Sequence, residues 1–166
     1  LLVTAMVLGF LNSSGQCAAP EVSLHSKLET NEDYIESQKE VEKALDWLCT
    51  NPLEVCISER EQLNSFVMVW MSGSPEYTLS FEPSCAPFLK ADPDLLFPMI
   101  HGMSRELLKR PQQNKKQLYR AGYQTVWKLT ESKPRKLKSA ELKAFHKAMR
   151  RDNLDEYLQE YCPICK

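Results

Sequence analysis

Ser58–Pro75, SEREQLNSFVMVWMSGSP, carries a helix start, body and stop within eighteen residues. Ser58 with Glu61 three positions on is the pattern of a capping box, each side chain accepting from the other residue's backbone N–H. Leu63, Phe66, Val67 and Trp70 recur at helical spacing, and Val69 with Met71 widens the apolar face until most sides want burial. Gly73 suits the left-handed residue that ends a helix, and Pro75 cannot continue one. So apolar a helix has to be covered, and the rest of the chain is read as its cover.

Upstream, Thr30 or Asn31 caps a helix with an acidic first turn (Glu32, Asp33, Glu36), apolar at Tyr34, Val41, Leu45 and Leu48 and stopped by Asn51-Pro52. Downstream, Tyr77, Leu79 and Phe81 alternate with Thr78 and Ser80, the mark of a lone strand or an extended connection. Pro83, Pro87 and Pro93 then break the chain, with a helical turn expected near Cys85–Lys90. Asp92-Pro93 reads as an N-cap and first helical residue before the stripe Leu96, Met99, Ile100, Met103 and Leu107, and Pro98 demands either a kink or a start there. A helix over Asn114–Glu131 follows, then a basic linker over 132–138, a helix capped by Ser139, and a last one opened by a capping box of Asn153 and Glu156. The expected fold is mainly α, an irregular bundle of five to six helices with at most one short extended segment at about 76–82.

Leu1–Leu11, LLVTAMVLGFL, is too short to cross a bilayer but fits the apolar core of a secretory signal, with Ser13 and Gly15 as the small residues of a cleavage site. A buried N-terminal helix or strand, or lipidation at Cys17, are the competing readings. The organisation taken forward is a signal peptide over 1–15, truncated at its start, a flexible leader over 16–31 and a single helical domain over 32–166. That places the protein as secreted or periplasmic, with no transmembrane span in the mature chain.

Charge is segregated along the chain. Between Arg105 and Arg151 stand fifteen Lys/Arg and three Glu, net +12, whereas the remainder holds six Lys/Arg and nineteen Asp/Glu, net −13. Either an acidic half packs on a basic half, or the basic region meets an outside anion.

Three stretches carry a resemblance: Ala44-Leu45-Asp46-Trp47-Leu48 with Pro52, then NSFVMVWMSGSP over Asn64–Pro75, then Asp92-Pro93-Asp94-Leu95-Leu96. Together they resemble an uncharacterised family of small exported bacterial proteins, over roughly residues 40–160. The resemblance implies an exported α-helical domain. No catalytic signature lies in the matching stretches, and Cys162 and Cys165 depart from the family's pattern.

Six cysteines in an exported chain default to disulfides, with fifteen possible connectivities. Cys49 and Cys56 flank the Asn51-Pro52 corner and are the expected pair, provided their Cα atoms come within ~7 Å. Cys162-Pro163-Ile164-Cys165 has the form of a thiol–disulfide oxidoreductase motif, but it follows a helix instead of opening one, so the helix dipole opposes a thiolate. A structural disulfide or terminal thiols is the plainer account. Cys49-x6-Cys56 lacks zinc-ligand spacing, so neither metal nor cofactor is assigned. His25, His101 and His146 stand in no nucleophile or metalloprotease context, and no residue is assigned a catalytic role.

Lys115, Lys116 and Arg120 interleave with Tyr119, Tyr123 and Trp127 on one helix, the combination that stacking and phosphate contact use. Aromatics at i, i+4 and i+8 equally describe a core face, and export argues against nucleic acid. The expectation is a non-enzymatic exported domain acting through surface contact with an acidic protein or an anionic envelope surface. The alternatives are small-ligand binding between helices, lined by Trp47, Trp70, Met99 and Met103, and thiol–disulfide chemistry at Cys162 and Cys165.

Overall fold

The computed structural model describes residues 18–22, 28–131 and 139–165. The signal-peptide reading over 1–15, Cys17 and the linker 132–138 lie outside the described residues. Among the described residues six α-helices follow in order: α1 (Asn31–Leu48), α2 (Ile57–Gly73), α3 (Leu96–Lys109), α4 (Lys115–Thr130), α5 (Ala140–Arg150) and α6 (Leu154–Tyr161). Short 3-10 turns occupy Pro83–Cys85, Pro87–Lys90, Pro93–Leu95 and Pro163–Cys165, and no strand is present among the described residues. The stretch 76–82 is a connection, since no second strand is there to pair with it. The mainly α expectation holds.

Side-chain caps start three helices where the sequence places them. Thr30 and Asp33 form a capping box on α1, Asn114 and Gln117 another on α4, and Ser139 accepts from the N–H of Leu142 on α5. The last helix differs: Asn153 makes no cap bond and its side-chain amide instead donates to Glu156. α3 begins at Leu96, so Pro98 falls in the first turn, where its missing N–H costs nothing.

α2 departs most from its sequence reading. Its N-cap is Cys56, in the left-handed conformation and without a side-chain cap bond, so Ser58 and Glu61 form no capping box. Val69 is 59% exposed, because neighbours cover only one side of the helix. Gly73 does not adopt a left-handed conformation; its missing Cβ leaves room for the Tyr34 hydroxyl, which a side chain there would overlap.

The apolar residues sort into two cores rather than one. The smaller holds Val41, Leu45 and Leu48 of α1 with Leu63, Phe66, Val67 and Trp70 of α2, and Trp70 Nε1 donates to the Tyr34 carbonyl at 2.9 Å. Ala19, Val22 and Leu28 pack against it, laying part of the leader on the core. The larger core joins α3, α4, α5 and α6 around Phe88, Met99, Met103, Tyr123 and Phe145. α3 serves both: Met99, Met103 and Leu107 point into the larger core and Leu108 into the smaller. Its approach to α4 is close because glycines face each helix's partner. A Cβ on Gly102 would lie 2.6 Å from the Ala121 carbonyl, and one on Gly122 would lie 2.8 Å from that of Met99. The element that organises the fold is therefore α3, not α2.

Candidate functional site

The basic and aromatic residues of α4 separate onto different faces. Tyr119 and Tyr123 are fully buried, Tyr123 lying 5.4, 5.3 and 5.5 Å from the rings of Phe88, Phe145 and Tyr157. Burial pushes both phenols up from their ordinary pKa. Trp127 is half-buried, set edge-on against Phe145 and His146. Tyr119 and Tyr123 are thus removed from any surface site, because the i, i+4 spacing faces the larger core. Lys115 remains exposed, while Lys116 and Arg120 reach Asp155 of α6 at 3.6 and 2.6 Å. The hydrogen bond from Arg120 holds the Asp155 carboxyl below its usual range.

Those two tyrosines position something else. The Tyr123 hydroxyl donates to the Cys85 carbonyl, and the Tyr119 hydroxyl accepts from the N–H of Glu82 and donates to its carbonyl. They pin the 3-10 turn that ends at Cys85, which is disulfide-bonded to Cys162 across 77 residues of sequence. Cys162 caps α6 through an N–H bond to the Leu158 carbonyl, and the following 3-10 turn returns the N–H of Cys165 to the Cys162 carbonyl at 3.0 Å. Cys165 keeps a free thiol, and the sulfurs of Cys85, Cys162 and Cys165 all lie within 4.8 Å of one another. Burial pushes the Cys165 thiol up and the Lys116 ammonium pulls it down. Beside Cys165 opens a groove of about 830 Å³ lined also by Asn114, Lys115, Lys116, Gln159 and Ile164.

The cysteine pairing expected at the α1–α2 corner is not made. Cys49 is a free thiol, fully buried at the end of α1, where desolvation raises it to about 11; Cys56 is disulfide-bonded, and not to Cys49. Arg60 closes that corner instead. Its guanidinium donates to the carbonyls of Leu48, Asn51 and Pro52 and lies over the Trp47 ring at 5.0 Å. An arginine on the carbonyl end of a helix offsets the dipole there and satisfies acceptors that have no intrahelical donor.

Between α2 and α3 lies a cleft of about 460 Å³ whose walls include Ile57, Arg60, Asn64, Phe97 and His101. His101 is buried and stacked on Phe97 at 5.9 Å, and neither ring nitrogen has a hydrogen-bond partner among the described residues. Arg60 Nε and Asn64 Oδ1 are likewise buried and unpartnered. His101 stands in no recognised catalytic motif, and the sequence does not single out Arg60. The available signal was an Arg–x3–Asn step on the face adjoining Leu63, too common a pattern to single out. The four residues expected to line a ligand cavity are not brought together: Trp70 belongs to the smaller core, and Met99 and Met103 to the larger.

Burial, with Arg60 adding to it, lowers the His101 pKa to about 3, against about 6.5 in an unfolded chain. The unfolded chain takes up this proton first, so the contribution is intact above pH 6.5 and is lost as pH falls toward 3. At pH 5 wild type is expected to lose about 2 kcal/mol from this group. His101→Leu should lack that part of the acid limb, which urea unfolding of both proteins at pH 7 and pH 5 measures.

No family model, no curated protein and no solved structure matches the chain.

Proposed function

We propose that the protein is exported and non-enzymatic, and that it works by pressing a cationic face on an acidic protein or an anionic envelope surface. One observation carries the reading. Lys143, Lys147 and Arg150 fall at i, i+4 and i+7 on the exposed side of α5, continued by Arg151, opposite the buried Leu142, Phe145 and His146. None of these four cations makes an ion pair among the described residues. Elsewhere in the 105–151 region, Asp46 pairs with Arg105 and Lys109, and Asp155 with Lys116 and Arg120. The acidic half thus neutralises little of the stripe, which favours an outside anion over internal pairing. The Cys85–Cys162 bond is of the kind an oxidising compartment preserves, which supports export. No helix among the described residues is long and apolar enough to cross a membrane.

Each basic residue near an anionic surface is worth about 1 kcal/mol at moderate ionic strength. Lys143→Glu/Lys147→Glu/Arg150→Glu should therefore weaken binding to polyglutamate beads or phosphatidylglycerol vesicles by about 3 kcal/mol or more, roughly 100-fold. Wild-type binding should also fade by ~0.2 M salt. Retention that ignores both the substitutions and the salt would remove the reading.

The α2–α3 cleft favours a second reading, binding of a small amphipathic ligand. Apolar walls around a few unpartnered buried polar atoms are the usual make-up of such sites. An anionic apolar dye, anilinonaphthalene sulfonate, should brighten on wild type and not on Phe97→Asp; equal brightening would discard this reading.

A further inference from the structure

A thiol lodged against a disulfide has a chemistry of its own. We propose that Cys85, Cys162 and Cys165 form a thiol–disulfide exchange site that opens onto the Lys115–Lys116 groove and takes small anionic thiols. The proposal does not rest on the α5 contact reading.

Cys165 is the free member of the three, and its sulfur lies within 4.8 Å of both sulfurs of the existing cross-link. All three cysteines are buried, but Cys165, 4% exposed, is the one that forms part of the groove wall, so the groove offers a reagent Cys165 first. The turn Pro163–Cys165 supplies the second condition. Its Cys165 N–H to Cys162 carbonyl bond folds residues i and i+3 over one 3-10 turn, a separation that a disulfide can bridge. Cys85 arrives from a distant segment, held by the Tyr123 and Tyr119 hydroxyls, and can remain there once released.

The first step is neutral in electrons. The Cys165 thiol gives its proton to water, and its thiolate attacks Cys162 Sγ. The Cys162–Cys165 bond forms as the Cys85–Cys162 bond breaks, and Cys85 leaves with the electron pair and takes up a proton. The cross-link then stands at the groove wall. There the thiolate of a small external thiol attacks Cys165 Sγ, forming a mixed disulfide and releasing Cys162 as a thiolate that is protonated in turn. Lys115 and Lys116, with Asn114 and Gln159, line the approach, and no acidic side chain is among the groove's lining residues. A thiol bearing a carboxylate is therefore drawn in and a thiol bearing an ammonium is repelled.

The test uses the oxidised full chain at pH about 8.5, where a thiol of ordinary pKa is half ionised. It is incubated with mercaptoacetate, quenched in acid, alkylated and digested with trypsin, which leaves Cys162 and Cys165 on one peptide starting at Asp152. The expected result is a fraction of that peptide with an internal disulfide, matched by alkylated Cys85. Longer exposure should place mercaptoacetate on Cys165 several-fold faster than the cationic mercaptoethylamine, with the gap closing by ~0.2 M salt. Cys165→Ser should abolish the shift, and Cys85→Ser treated with oxidised dithiothreitol should close the Cys162–Cys165 bond. The proposal is overturned if Cys162 is recovered only with Cys85, if the new bond joins Cys85 to Cys165, or if the cationic thiol reacts as fast. It fails equally if Cys162 and Cys165 both stay open to alkylation in oxidised Cys85→Ser.

Discussion

Cys85→Ser is expected to lower the free energy of unfolding by about 4 kcal/mol, read from urea denaturation of the oxidised proteins. The bond it removes joins residues 77 apart, and a loop of that length takes a large share of conformational freedom from the unfolded chain. It also ties the 3-10 turn at Pro83–Cys85 to the end of α6. Cys162→Ser should cost a similar amount, and reduction of wild type should cost at least as much, because it opens the Cys56 disulfide as well. A Cys162–Cys165 bond formed in Cys85→Ser would restore little, because so short a ring hardly restrains the unfolded chain. Loss of less than ~1 kcal/mol in both serine variants would mean that the cross-link adds nothing the packing does not already supply.

How far the sequence spoke for itself depends on whether a feature is local. Thr30, Asn114 and Ser139 act within three residues of themselves, and the starts of α1, α4 and α5 fall where those side chains place them. The start of α2 rests on a left-handed, disulfide-bonded Cys56, and nothing in the neighbouring residues signals that. Hydrophobicity alone also misjudged α2. Val69 is apolar yet exposed, because burial depends on how many neighbours surround a helix, and α2 has its company on one side. Met99, Met103 and Leu107 were visible as a stripe, but the Leu108 side that ties α3 to α1 and α2 was not.

The candidate site shows the same division. Lys115, Lys116 and Cys165 were each singled out from the sequence for separate reasons, and the fold gathers them around one groove. Tyr119 and Tyr123 were offered for a surface, and they became the hydroxyls that hold the Cys85 turn. Cys85 itself could not be chosen, since fifteen connectivities look alike until the chain is folded. The buried pair Arg60 and His101 escaped for a related reason: polar residues on an amphipathic helix read as solvated until a neighbouring element covers them.

Phe145→Ala is the second large loss to expect, about 4 kcal/mol, because deleting a buried phenyl forfeits its transfer energy and leaves a cavity. Phe145 is fully buried and lies 5.1 Å from Phe88, 5.3 Å from Tyr123 and 6.1 Å from Tyr157, so its ring is where α4, α5, α6 and the Pro87–Lys90 turn meet. α5 is only eleven residues long and would be marginal alone, so this side chain is its main anchor. The cationic stripe Lys143, Lys147 and Arg150 depends on that anchor: loosening α5 disperses the charges, and binding to polyglutamate should weaken in Phe145→Ala although no charge is altered. Val69→Ala supplies the contrast. It removes methyl groups from an equally apolar position that faces solvent, and should change stability by less than about 0.5 kcal/mol. Urea unfolding of the two variants side by side, with bead binding at matched folded concentration, separates the roles. If Phe145→Ala unfolds at the wild-type midpoint, the aromatic cluster does not hold α5, and the stripe would need another support.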